Sequence, residues 1–132
     1  MANDFSQFSF NRSGYQEAGP INKTLVAGAA AQVIATLDLT PLQDSVTISI
    51  AVGVAALTGL DIYVRGDSMG EWLPMSIAQL YSYGRNDSGT DVTTTPAGTT
   101  ASITVLTRGC ASIQLRAKSA GAATISTTAG GK

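Results

Sequence analysis

From residue 32 onward, apolar and polar residues alternate with a period of two. Val33, Ala35, Leu37 and Leu39 alternate with Gln32, Ile34, Thr36 and Asp38, and Val46, Ile48, Ile50 and Val52 alternate with Thr47, Ser49 and Ala51. Successive side chains on a strand point to opposite faces, so these runs predict strands with one face on a core. Further on, Ile62 and Val64 are expected inside and Asp61, Tyr63 and Arg65 outside. Ile103 and Val105 alternate with Ser102 and Thr104, and Ile113, Leu115 and Ala117 with Ser112, Gln114, Arg116 and Lys118. A last short strand is predicted within Ala123 to Thr127, around Ile125.

Turn chemistry separates these runs: Thr40-Pro41, Gln43-Asp44-Ser45, Thr58-Gly59, the stretch Gly66-Asp67-Ser68-Met69-Gly70, and Arg108-Gly109. Several short strands at close spacing predict an all-β fold, a single antiparallel β-sandwich or jelly roll. Ala27 to Ala31 reads as a turn or a bulged strand, Pro74 to Leu80 is open to a short helix, and Asp87 to Thr100 reads as a long surface loop. The first 22 residues follow no period. They hold all three phenylalanines, Phe5, Phe8 and Phe10, then Tyr15 and the punctuation Gly19-Pro20. The expected organisation is therefore an extended N-terminal arm, residues 1–22, ahead of a sandwich domain, residues 23–132.

Composition narrows the function. At 132 residues the chain has room for one core. Only 13% of residues are charged, against about 25% in an average domain. Thr, Ser, Gly and Ala must cover the surface instead, with little charge repulsion to keep neighbours apart. The net charge is −1, and Arg65, Arg85, Arg108 and Arg116 are scattered, which argues against nucleic-acid binding. The one cysteine, Cys110, rules out an intramolecular disulfide and points to synthesis in a reducing cytoplasm. Met1 to Tyr15 lacks the basic start and apolar run of a signal peptide. The apolar stretch Leu25 to Leu37 is shorter than the roughly 20 residues of a membrane helix and contains Gln32, so no membrane insertion is expected.

The chain has no histidine, which removes histidine-dependent nucleophile systems and His-ligated zinc sites. Neither GxxxxGK[ST] nor GxGxxG occurs. Asp61, Asp67 and Glu71 read as a solvated strand edge and turn in preference to paired catalytic carboxylates, and Asp87 to Asp91 as a plain loop in preference to a calcium site. No catalytic residue, cofactor or metal is assigned, and the expectation is a non-enzyme. Two candidate binding features remain. Phe5, Phe8, Phe10 and Tyr15 would bind a partner through the arm or fold back on the sandwich. Trp72, the one tryptophan, reads as a core plug or, with Tyr81 and Tyr83, as a platform on which a sugar would stack.

The run Ser45–Val52, then Leu57-Thr58-Gly59-Leu60-Asp61-Ile62-Tyr63-Val64, then Gly66 to Trp72-Leu73-Pro74, resembles small β-sandwich virion proteins of tailed bacteriophages. Gly109 to Ala117 and the small-residue strand Ala122 to Thr127 extend the resemblance over residues 30–128. The turn before tryptophan, usually Asp-Gly in that group, is Ser68-Met69-Gly70-Glu71 here. The resemblance implies a structural protein of the virion, synthesised in the host cytoplasm: a capsid decoration (cement) protein bound to the major capsid protein, or a tail, fibre or baseplate component with an adhesion role. Symmetric self-association, for instance as a trimer, would supply the repeated contacts that binding to a symmetric shell calls for. Burying three phenylalanines yields roughly 4–9 kcal/mol, whereas ordering about 20 residues costs on the order of 20–40 kcal/mol. An arm bound to a neighbour would therefore also need backbone pairing with a sheet edge.

Overall fold

In the computed structural model, residues 9–10, 16–39, 45–67, 70–75, 82–86, 92–106 and 110–131 are described. Their strands are β1 (Ser9–Phe10), β2 (Gln16–Thr24), β3 (Gln32–Asp38), β4 (Ser45–Gly53), β5 (Leu57–Arg65), β6 (Leu73–Met75), β7 (Ser82–Asn86), β8 (Thr100–Leu106), β9 (Ser112–Ser119) and β10 (Thr124–Gly131). They form two antiparallel sheets, β1-β2-β10-β4-β8-β7 and β3-β9-β5-β6. The fold is an all-β sandwich with unequal layers. No helix among the described residues is long and apolar enough to cross a membrane.

The core lies between the sheets. Val46, Ile48, Ile50 and Val52 of β4, Ile103 and Val105 of β8 and Ile125 of β10 meet Leu60 and Ile62 of β5 and Ile113, Leu115 and Ala117 of β9. The period-two pattern of these strands is that of their burial. Strand β3 departs from the expected phase at its start alone, with Ala35, Leu37 and Leu39 inward as expected. Val33 is 41% exposed, whereas Ile34 is 2% exposed and sits beside buried Ala35. The pairing of β3 with β9 slips between Val33 and Ala35, so a β-bulge turns the chain over by one residue. The turn before β3 is fixed by Gln32, whose side-chain amide accepts from the Val26 N–H at 2.9 Å and donates to the Val26 carbonyl at 3.3 Å. Gly28 in that turn has φ 68°, a left-handed conformation open to glycine.

Three expectations about boundaries change. The arm limit at residue 22 falls inside β2, which pairs along β10 from Thr24 to Gln16. Residues 16–22 are thus part of the six-stranded sheet, and Ser9–Phe10 pairs in turn with β2. The last strand runs to Gly131, beyond the expected limit of Thr127. Finally, the polar stretch before β8 enters the interior. A 3-10 turn, Val92–Thr94, places Val92 and Thr95 among the fully buried residues. The Thr95 hydroxyl donates to the Val92 carbonyl at 2.6 Å, and the Thr95 carbonyl accepts from the Leu57 N–H at 3.0 Å. Pro74 and Met75, at the head of the open 74–80 segment, belong to β6, and residues 76–80 lie outside the described residues.

Candidate functional site

The two outer faces of the sandwich have different chemistry. On β10, β4 and β8 the outward positions are Thr124, Ser126 and Thr128, then Thr47, Ser49 and Ala51, then Thr100, Ser102 and Thr104. This face is small, polar and uncharged, and the Thr47 and Thr104 hydroxyls hydrogen-bond across it at 2.9 Å. A shallow groove of about 460 Å³ at one end is lined by Asn22, Lys23, Ala51, Gly53, Thr124 and Ser126. Among the described residues, Lys23 is its one charged side chain.

The outer face of the four-stranded sheet carries rings and charges. Cross-strand register sets three rows across it: Val33–Arg116–Asp61, Thr36–Gln114–Tyr63–Pro74, and Asp38–Ser112–Arg65. The guanidinium of Arg116 lies 3.8 Å from the centroid of the Tyr63 ring, and its Nε donates to Gln114 Oε1 at 2.8 Å. Gln114 in turn donates to the Thr36 hydroxyl at 3.2 Å. Ser112, buried between its neighbours, donates to Asp38 Oδ1 at 2.9 Å. The guanidinium of Arg65 lies 4.4 Å from the centroid of the Trp72 ring. An aromatic face attracts a cation through its quadrupole, by about 0.5–1 kcal/mol at an exposed site and more when water is excluded. The Nε of Arg65 is buried and has no hydrogen-bond partner among the described residues.

Trp72 is half-buried on the outside of the sandwich, just before β6, and its ring is matched to Arg65. Tyr83 lies in β7, at an edge of the other sheet. The side chain of Tyr83 and the whole of Tyr81 are outside the described residues, as are Phe5, Phe8 and Tyr15; Phe10 is described by its backbone in β1. Asp61 stands on the outer face of β5, whereas Asp67 and Glu71 lie in the turn between β5 and β6. The loop from Asp87 to Asp91 is outside the described residues. Cys110 is partly buried, and that burial pushes its thiol above the usual range, away from the reactive thiolate. Tyr63, Arg65 and Arg116 are the members of the site that no sequence motif singled out. Their signal was slight: polar or aromatic side chains at outward positions of two alternating strands.

Fold and site together define an antiparallel two-sheet β-sandwich with an arginine–aromatic outer face. No family model matches the chain, and no curated protein matches it. Among solved structures, it is similar to the crystal structure of the SPBc2 prophage-derived protein YomS, with a TM-score of 0.52 and 13% identity over 89% of this chain and 93% of that one. At that identity the likeness is one of fold.

Proposed function

We propose that this chain is a non-enzymatic structural component of a phage particle, and more specifically a decoration protein that binds the shell through the major capsid protein. The observation that carries this reading is the sandwich itself, shared over nearly the whole chain with a prophage-derived protein. The charge-poor Ser/Thr face supports it, since such a face packs against a neighbour without burying unpaired ions. The chain would be made in the host cytoplasm, work as a homo-oligomer and end in the virion. Co-sedimentation of the full chain with empty shells tests it: a fixed copy number per shell is expected. Failure to pellet with shells, at concentrations well above the micromolar range, would remove the decoration role.

A second reading, a tail or fibre part that binds host glycans, draws on Trp72, whose ring is only partly covered by protein. Titration with sugars while following tryptophan emission addresses it. Quenching by a defined sugar supports adhesion, and emission unchanged across a glycan panel removes it.

A further inference from the structure

We infer that the outer face of the four-stranded sheet is a self-recognition surface, on which a second copy of this chain docks face to face about a two-fold axis. Three observations point there. The first is composition. The face gathers Trp72, Tyr63, Arg65 and Arg116, in a chain with one tryptophan, four tyrosines and 13% charged residues. Trp, Tyr and Arg are the residue types that dominate interface energetics. Exposed Val33 flanks them, in the row of Arg116 and Asp61.

The second is the placement of charge. In the order β3-β9-β5-β6, the seam between β9 and β5 is the midline of the sheet. A two-fold axis along that seam lays β9 of one copy over β5 of the other and β3 over β6, with each cross-strand row kept at its own height. Arg116 and Asp61 occupy one row on either side of the seam, so Arg116 of each copy meets Asp61 of the other, twice over. In the row Asp38–Ser112–Arg65, Asp38 lies on β3 and therefore comes over the β6 side, where Arg65 rests on Trp72. Both arginines thereby gain a carboxylate from the other copy. Sheets that pack face to face keep their strands within about 30° of each other, which preserves this row-to-row match.

The third is how the two guanidiniums are held: that of Arg65 lies 4.4 Å from the centroid of the Trp72 ring. That of Arg116 is held over Tyr63, and its Nε is bonded to Gln114. A guanidinium fixed in this way is pre-organised for a planar carboxylate. Strand spacing and rise give the patch a width of about 19 Å and a length of about 25 Å, or about 1,000 Å² in total over both copies. That is the low end for a specific interface, so dissociation in the micromolar range is expected.

The test is sedimentation velocity on the full chain from about 1 to about 200 µM. The wild-type mass is expected to rise from one chain toward two. Arg116→Glu and Asp61→Arg should each raise the dissociation constant at least tenfold, because each sets like charges against each other across the axis. Asp61→Arg also sets a second cation beside Arg116 within its own chain, so far-UV circular dichroism and the urea midpoint of each variant separate loss of pairing from loss of fold. Mixed in equal amounts, the two variants should restore a dimer, since their reversed charges complement each other. A wild-type chain that stays monomeric or forms a trimer overturns the proposal. So do variants that dimerise like wild type, or a mixture of folded variants that fails to pair. The outcome is independent of shell binding, because the dimer is measured without shells.

Discussion

Thr127 is the residue whose chemistry fits its surroundings least. It points into the core from β10, is fully buried, and its hydroxyl has no hydrogen-bond partner among the described residues. A buried hydroxyl without a partner loses its water and gains nothing in return, at a cost of about 1–3 kcal/mol. Thr127→Val keeps the shape and removes the polar atom. It should stabilise the chain by about 1 kcal/mol in urea unfolding, with an unchanged slope. A loss of stability would mean that the hydroxyl is satisfied in the folded chain.

At the scale of elements, β2 decides what the N-terminal segment can do. Between Gln16 and Thr24 it pairs with β10, whose other edge pairs with β4. Removing residues 1–15 leaves that pairing intact, and the truncated chain should keep the wild-type denaturation midpoint to within a few tenths of a molar. Removing residues 1–24 strips one edge of β10, exposes a long edge strand and should lower the midpoint sharply or cause aggregation. Equal stability of the two truncations would show that β2 is dispensable. Strand β2 was hard to read because Ile21 is its one large apolar residue and Gly19-Pro20 looks like a break, not a strand interior. By contrast, β4 and β8 were legible because each buries alternate residues without interruption, and β9 because it does so from Ile113 onward. In β3 the inward positions Ala35, Leu37 and Leu39 are as expected, and only Val33 and Ile34 exchange faces, because of the bulge at Val33–Ala35, which is set by the partner strand and leaves no mark in composition. Val92 was missed as a core residue because a single apolar side chain in a polar run has no period. The arginine–aromatic face was illegible for a related reason: Tyr63 and Gln114 become neighbours through strand pairing alone, as do Asp61 and Arg116.

At the scale of the whole molecule, the two sheets share one core, and their pairings join distant parts of the chain. Strand β4 pairs with β8 and β10, and β9 pairs with β3 and β5, so the central ladders close late in the sequence. Loop-closure entropy must be spent before such contacts form, which places refolding in the range of about milliseconds to seconds. Stopped-flow refolding followed by tryptophan emission should give a main phase in that range. The shared core also predicts a single cooperative transition. Trp72 reports on the four-stranded sheet, whereas far-UV circular dichroism reports on both. If neither sheet can stand without the apolar face of the other, the two probes must give superimposable denaturation curves. An emission change that precedes the loss of circular dichroism would mean that the four-stranded sheet opens first. The face proposed for self-recognition would then lie on the less stable layer, and a second copy docked there would stabilise that layer most.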